Sequence, residues 1–244
     1  MPVICTVEAG FAELTMEWPH VRNAFGAAEA RELRTAIQSL MDREDCCAVV
    51  LSAAGSTFCA GGNLRMVADY VRAGEAAIEQ AVYGEFQGLF RTIHASPIPI
   101  LMAVDGPAIG FGADLALAGD VTFVGAEGWL SQGWMAAGLI PATGGALYVA
   151  RRGGPQAVWR FLTQARLNGP DAEGLGIAVS VPQAREAAIE IARKLSAMPR
   201  AAVSALRELI GIEDFEEHLE TALKYQKDFL MNPEFLKRVE KLLS

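Results

Sequence analysis

The chain has 244 residues, of which 52% are hydrophobic, and a formal net charge of −8 at pH 7. This much apolar surface can offset the entropy of ordering the chain, which excludes a disordered protein. The acidic balance excludes broad nucleic-acid binding because no stripe of Lys and Arg is available to contact a phosphate backbone. No apolar run reaches the roughly 18 to 20 residues of a membrane span, and the first residues lack the features of a signal peptide, so we expect a cytoplasmic protein.

Strand and helix patterns alternate through the first half of the chain. Short apolar runs predict buried strands, and apolar residues at three- and four-residue spacing predict helices between them. The predicted elements are two strands within 3–16 around Gly10, a helix over 27–43, a strand over 47–54, a helix over 75–94, and strands over 98–104 and 121–126. This order predicts an α/β fold with a largely parallel sheet.

The second half of the chain is predicted to be mostly helical. The helical patterns cover 143–151, 155–163, 182–197, 199–211, 214–230 and 233–243. We place a boundary near residue 180, which divides an α/β core over 1–180 from a helical region over 181–244. The helical region is too thin to fold alone, so we expect it to pack against another surface.

The four cysteines do not form a metal-binding or redox pattern. Cys5, Cys46, Cys47 and Cys59 show no CxxC spacing, and the adjacent pair lies in an apolar run. Reduced, buried thiols are therefore predicted, with no metal site and no redox cofactor.

Two glycine-rich turns, residues 58–64 and 105–120, follow predicted strands. Small residues let the backbone approach a ligand closely, so the two turns together can hold one oxyanion, although either turn alone is compatible with simple strand termination. The chain has no GxxxxGK[ST] and no GxSxG motif, and Leu115 stands where a third dinucleotide-binding glycine belongs. These absences argue against a nucleotide-phosphate loop, a dehydrogenase and a serine hydrolase.

Four motifs resemble the crotonase (enoyl-CoA hydratase/isomerase) superfamily in order and spacing. They are Arg22-Asn23-Ala24, FCAGGNL at 58–64, AVDGPAIGFG at 103–112 and GLIPATGG at 138–145. The resemblance covers essentially the whole chain. It implies a spiral of ββα units, a C-terminal helical region that forms a homotrimer or hexamer, and a role in fatty acid metabolism. It also implies an acyl-CoA thioester as the ligand, with coenzyme A as part of the substrate and no separate cofactor.

The resemblance also implies which residues contact the thioester. By motif position, the backbone N–H groups of Gly62 and Phe111 are the oxyanion-hole donors that stabilise an enolate. The residues implied in CoA binding are Arg22, Ala60, Gly62 and Arg65. Both arginines are equally compatible with solvated surface charges.

The acid–base positions depart from the family pattern. Hydratases of this family use two glutamates, whereas this chain has Asp114 and Trp134 at those positions. Asp114 is the best candidate for proton transfer, although its side chain is shorter than glutamate and places the carboxylate roughly 1.5 Å further back. An acidic residue at this position is also typical of a helix start. Trp134 does not exchange a proton at neutral pH. We expect it to line a substrate pocket with Ser131 and Met135.

Other candidates lie outside these motifs. Relatives place extra catalytic residues in the segment after Leu64, and each candidate there is also typical of an exposed helix: Asp69, Tyr70, Glu75, Tyr83 and Glu85. In relatives the last helix reaches CoA, sometimes across a trimer interface, and the corresponding residues here are Phe235, Lys237, Arg238 and Lys241.

Three hypotheses follow. The first is an acyl-CoA enzyme resembling enoyl-CoA hydratases and isomerases, which stabilises an enolate. The second, a decarboxylase, is a variant of the first, because loss of CO2 generates the enolate without a base at position 134. The third is a catalytically silent acyl-CoA binding protein, whose apolar pocket is expected to favour a long or aromatic acyl chain.

Overall fold

The computed structural model describes residues 3–210, 216, 219–220, 223, 227–228 and 230–244. Within that part of the chain, six strands form the main sheet: β1 (Val3–Glu8), β2 (Phe11–Met16), β3 (Val49–Ala53), β4 (Ile100–Val104), β6 (Val121–Val124) and β9 (Val179–Ser180). Their order is β1-β2-β3-β4-β6-β9. β1 is antiparallel to β2, and every other neighbouring pair is parallel. The predicted α/β fold with a largely parallel sheet is confirmed.

A second, smaller sheet lies beside the loops that follow the main strands. It is formed by β5 (Pro107–Ile109), β7 (Trp129–Ser131) and β8 (Leu167–Asn168), in the order β5-β7-β8. Because these strands have only two or three residues, their apolar pattern is too short to predict a strand from sequence.

The first long helix of the chain packs against strands β1 and β2 of the main sheet. In α1 (Ala27–Met41), the buried residues Ala30, Leu33, Ile37 and Leu40 recur at helical spacing. The other described helices of this half are α2 (Leu64–Ala73), α3 (Glu75–Ala77), α4 (Gly88–Ala95) and α5 (Phe111–Ala118). The sequence did not predict α2.

The helix predicted over 75–94 is divided into three parts. Between α3 and α4, residues Ile78–Gln87 form a π-helix of ten residues. At its end, Gln87 Nε2 donates to the carbonyl oxygens of Ala142 at 3.1 Å and Leu219 at 3.3 Å. A π-helix has a wider turn than an α-helix, and helical spacing in a sequence does not distinguish the two.

The second half is helical, as predicted. Its described helices are α6 (Gly133–Ala136), α7 (Gly145–Gly153), α8 (Pro155–Thr163), α9 (Gly169–Gly174), α10 (Ala184–Ser196), α11 (Arg200–Ile210) and α12 (Pro233–Leu243). The helix predicted over 214–230 lies largely outside the described residues. No helix in the described part of the chain is both long and apolar enough to cross a membrane.

Helix α10 packs on the face of the sheet opposite α1. Its buried residues share a hydrophobic cluster with Val50, Leu101 and Phe123. The Asp105 carboxylate, just after β4, accepts hydrogen bonds from the backbone N–H groups of Ala184 at 2.6 Å and Arg185 at 2.9 Å. The helical region therefore starts with an element built into the core, and the boundary at residue 180 stays a prediction.

Candidate active site

The two glycine-rich turns lie side by side and are joined through their backbones. Cys59 N–H donates to the Pro107 carbonyl at 3.1 Å, and Ile109 N–H donates to the Cys59 carbonyl at 2.9 Å. A side chain at Gly112 would overlap the Cys59 carbonyl, so glycine is required for this close approach. The pairing fixes the relative position of the two turns.

Two residues at this junction, one from each turn, line a common cavity. Gly62 and Phe111 both line it, and neither N–H donates to another group in the described part of the chain. Phe111 is the first residue of α5, so its N–H carries the partial positive charge of a helix N-terminus. Gly110 precedes it at φ 54°, and its own N–H is occupied by the Ser131 carbonyl at 2.8 Å. The arrangement can hold one oxyanion between two donors.

The Phe111 side chain anchors the start of α5 in the core. Its ring centroid lies 5.0 Å from that of Phe25, 4.7 Å from that of Phe86 and 5.4 Å from that of Phe90. The ring is almost fully buried. A phenylalanine at this position therefore keeps the backbone donor and adds packing that holds it in place.

The cavity is small and apolar. Its volume is about 110 Å³, and it is open to solvent on one side. The expected preference for a long or aromatic acyl chain stays a prediction. No titratable side chain is among the described residues that line it, which are Ala60, Gly61, Gly62, Leu64, Val67, Phe86, Ile109, Gly110, Phe111, Gly133, Trp134, Ala137, Leu139, Leu230 and Leu242.

Asp114 lies in a polar network behind this cavity and does not line it. Its side chain has 0% exposure, and three side chains donate to its carboxylate. Thr143 Oγ1 and Trp134 Nε1 contact Oδ2 at 2.7 and 3.0 Å, and Gln132 Nε2 contacts Oδ1 at 3.1 Å. Burial raises the pKa of Asp114 to about 6, although the three hydrogen bonds act in the opposite direction.

The indole of Trp134 separates Asp114 from the cavity. Trp134 lines the cavity while its Nε1–H donates to the carboxylate on the other side. On another side the Gly145 backbone packs closely against the carboxylate, because an added Cβ there would overlap Asp114 Oδ1. Asp114, the predicted proton-transfer residue, therefore contacts other side chains of the protein and does not line the cavity.

Of the three predicted pocket residues, only Trp134 lines the cavity. Ser131 Oγ donates to the Ala165 carbonyl at 2.8 Å, and the Met135 side chain is 51% exposed. The prediction of Ser131 and Met135 as pocket residues is corrected accordingly. The backbone carbonyl of Ser131 accepts the hydrogen bond from Gly110 N–H. Met135 lies on the short helix α6 with its side chain directed outward.

The predicted CoA contacts lie around the mouth of the site. Ala60 lines the cavity. Arg65 is exposed on the first turn of α2, next to the lining residue Leu64, and Arg22 is also exposed, with φ 55°. Neither arginine forms an ion pair within the described residues, so both are available to an anionic ligand.

The candidates after Leu64 do not reach the cavity lining. Asp69 pairs with Arg72, Glu75 with Lys227, and Glu85 with Arg31 and Arg34. Tyr83 is buried, and burial raises its pKa. Tyr70 is partly buried in the core. These positions are explained by surface ion pairs and packing.

The C-terminal helix contributes to the cavity in a way the sequence analysis missed. Leu242 of α12 lines it, whereas Phe235 is buried in the core and the Lys237 ammonium pairs with Glu234. The Arg238 guanidinium packs against Gly138. Lys241 is exposed. The helix thus adds an apolar wall to the site of its own chain.

Cysteine and metal chemistry receive no structural support. Burial raises the pKa of the Cys59 thiol to about 12, which keeps it protonated at neutral pH. Within the described residues, no three His, Cys, Asp or Glu side chains are grouped so that they could hold a metal ion.

Comparison with known sequences identifies the family of this chain. The profile of the enoyl-CoA hydratase/isomerase family matches residues 6–241. The chain is also 31% identical to the probable enoyl-CoA hydratase EchA14 of Mycobacterium tuberculosis, over 98% of this chain and 96% of that protein. The chain therefore belongs to the enoyl-CoA hydratase/isomerase family, the crotonase superfamily.

Solved structures confirm the fold. An enoyl-CoA hydratase from Bacillus halodurans superimposes with a TM-score of 0.91, covering 99% of this chain and 100% of that one at 18% identity. The ECH2 decarboxylase domain of CurF from Lyngbya majuscula gives a TM-score of 0.83, covering 99% of both chains at 21% identity. The fold is the crotonase-type α/β fold.

Proposed function

We propose that this protein is an acyl-CoA decarboxylase of the crotonase superfamily, acting on a short thioester whose α-carbon carries a carboxylate. The observation that carries the proposal is a cavity with two unpartnered backbone N–H donors and no titratable side chain among its described lining residues. Enolate stabilisation is supported by the donors. Proton abstraction from a substrate has no such support, since the candidate base Asp114 lies behind Trp134.

In the proposed reaction, the thioester carbonyl oxygen accepts hydrogen bonds from Gly62 N–H and Phe111 N–H. The bond between the α-carbon and the carboxylate breaks, CO2 leaves, and the electron pair enters the thioester as an enolate. The two donors stabilise the negative charge on the oxygen as it forms. The α-carbon then takes a proton from water, which gives the shortened acyl-CoA, and the hydroxide left behind combines with the released CO2 as bicarbonate.

The apolar residues that line the cavity favour decarboxylation. A substrate carboxylate held against Trp134 and neighbouring apolar side chains loses its hydration, while the enolate formed from it spreads its charge toward the N–H donors. Among the fold neighbours, the CurF ECH2 domain is itself described as a decarboxylase. Arg22 and Arg65 are proposed to contact the phosphates of CoA, for which guanidinium groups are well suited.

A silent acyl-CoA binding protein is the second candidate. The same lack of a titratable group in the described lining favours it, because the final protonation has no assigned donor within the protein. The two candidates differ in one observable. A decarboxylase releases CO2 from its ligand, whereas a binding protein releases the ligand unchanged.

The test is incubation of the purified protein with malonyl-CoA and methylmalonyl-CoA, with CO2 measured directly and the CoA products separated chromatographically. We expect CO2 together with acetyl-CoA or propionyl-CoA. Crotonyl-CoA is included in parallel to detect hydration. Hydration of crotonyl-CoA without CO2 release contradicts the decarboxylase and supports the hydratase. Binding of all three without any product supports the silent binder.

A further inference from the structure

The indole of Trp134 is the only side chain that joins the cavity to the buried network within the described residues. Trp134 lines the cavity, and the single polar atom of its ring, Nε1, donates to Asp114 at 3.0 Å. An indole has no other donor or acceptor that can fix its orientation. The position of this wall therefore depends on the carboxylate behind it.

The carboxylate itself is held from three directions. Thr143 and Gln132 donate to it, and Gly145 packs against Oδ1 without space for a side chain. Thr143 and Gln132 are 2% and 7% exposed, so their hydrogen bonds to Asp114 are protected from water. A charged or strongly polar acceptor in this setting forms shorter, stronger hydrogen bonds than a neutral one. Asp114 is thus a rigid anchor.

We infer that Asp114 is a positioning residue that holds the Trp134 indole as the end wall of the acyl site and thereby limits the length of the acyl group. This inference rests on the proposed function, since it concerns the acyl-CoA cavity. It assigns to Asp114 no contact with the substrate. It also explains why an aspartate and a tryptophan occur together here: the two side chains make one hydrogen-bonded unit.

The structure further predicts which substitution preserves the wall. Gln132 Oε1 is buried and has no hydrogen-bond partner among the described residues. In Asp114→Asn, the new Oδ1 can accept from Trp134 while Nδ2 donates to Gln132 Oε1 after a turn of that amide. Asp114→Ala leaves the indole N–H without an acceptor. Asparagine should therefore retain the selectivity that alanine loses.

The experiment measures dissociation constants by calorimetry for acetyl-, butyryl-, hexanoyl- and octanoyl-CoA. The variants are Asp114→Ala, Asp114→Asn, Trp134→Ala and the Asp114→Ala/Trp134→Ala double variant. We expect the unmodified protein to prefer butyryl-CoA over octanoyl-CoA by about ten-fold or more, since misfit of a few methylenes in an apolar site has effects of this order. Trp134→Ala should abolish that preference, and Asp114→Ala should reduce it.

Coupling between the two positions decides the outcome. In the double variant the profile should equal that of Trp134→Ala, because Asp114 acts only through the indole. An unchanged profile in folded Asp114→Ala overturns the inference, as does a further shift on adding Asp114→Ala to Trp134→Ala. If Asp114→Ala does not fold, Trp134→Phe replaces it: the ring stays but cannot donate, and an unchanged profile overturns the inference.

The result is separable from the proposed function. If the unmodified protein binds none of the four thioesters at about millimolar concentration, both the proposed function and the inference fail. If it binds them and decarboxylates malonyl-CoA but shows no coupling between positions 114 and 134, the inference alone fails. Rescue of the length preference by Asp114→Asn, together with loss in Asp114→Ala, is the result expected.

Discussion

The two sides of the Trp134 ring differ in almost every physical respect. On one side lies an apolar cavity in which the backbone N–H groups of Gly62 and Phe111 are free of partners among the described residues. On the other side lies a fully buried carboxylate that is hydrogen-bonded by three side chains. The first side keeps its donors available, whereas on the second side Gln132, Trp134 and Thr143 each donate a hydrogen bond to Asp114.

This difference separates two tasks within one site. Stabilising an enolate requires donors that are unoccupied before the reaction starts. Holding a wall requires donors and acceptors that are already satisfied. The chain uses backbone for the first task and side chains for the second, so substitutions on the two sides should have different signatures.

The largest effect is expected on the cavity side, from Gly61→Ala. Gly61 has φ 102°, and a Cβ there would lie 2.7 Å from the Ile109 carbonyl oxygen, so the loop carrying Gly62 must move. We expect kcat to fall about 10²- to 10³-fold, the usual cost of losing one oxyanion donor. Steady-state kinetics with malonyl-CoA measures the change.

Gly74→Ala is the matched control for Gly61→Ala. Gly74 has a similar φ of 99°, but no heavy atom lies within 4 Å of the position that a Cβ would occupy, so the substitution adds the backbone strain without the collision. Its kcat should stay close to that of the unmodified protein. Equal losses in the two variants would show that strain, and not displacement of the donor, lowers the rate.

On the network side, the expected effect is a change in how stability depends on pH. The pKa of Asp114 is about 6 in the folded protein and about 3.9 in an unfolded chain, so between these values the folded state binds more protons. The free energy of unfolding should therefore fall by about 3 kcal/mol as pH rises from about 4 to 6, and this loss persists above pH 6. Asp114→Asn should lack this component.

Chemical denaturation at several pH values tests this, with the difference between the unmodified protein and each variant as the readout. Glu127→Gln provides the control, because Glu127 is exposed and the substitution removes the same charge. A difference curve for Asp114→Asn that is flat across pH 4 to 6 would mean that the carboxylate titrates normally and is not isolated from water.

The smallest effect is expected at the mouth of the site, from Arg65→Gln. The guanidinium is exposed, so its proposed contact with a CoA phosphate is worth about 0.2 to 1 kcal/mol. KM for an acyl-CoA should rise about two- to five-fold with kcat unchanged, and the difference should vanish at high salt. Arg160→Gln, an exposed arginine on α8, should leave KM unaltered.

The sequence predicted the parts of this molecule whose signals are local. Buried parallel strands such as Val49–Ala53 and Ile100–Val104 read as continuous apolar runs, and α1 shows a clear helical spacing. The short strands β5 and β7 have no such signal. They exist because backbone groups of the two turns find partners there, which only the assembled fold supplies.

For the candidate site, too, the sequence predicted the local features and missed the contacts between distant residues. The two glycine-rich turns were identified from their composition, and residues of both line the cavity. The network around Asp114 was missed because its donors, Gln132 and Thr143, lie 18 and 29 residues away in the chain. Spacing alone also does not reveal on which side of the indole a carboxylate lies, and that position decides its role.

The position of one side of the cavity depends on the number of residues in the π-helix Ile78–Gln87. Phe86, near its end, contacts the Phe111 ring and lines the cavity. Because successive side chains of a helix point in different directions around its axis, deleting one residue from this segment would rotate Phe86 away from the cavity or force the helix to readjust. The shape of the site is therefore sensitive to the length of this segment, even when every cavity-lining side chain is retained.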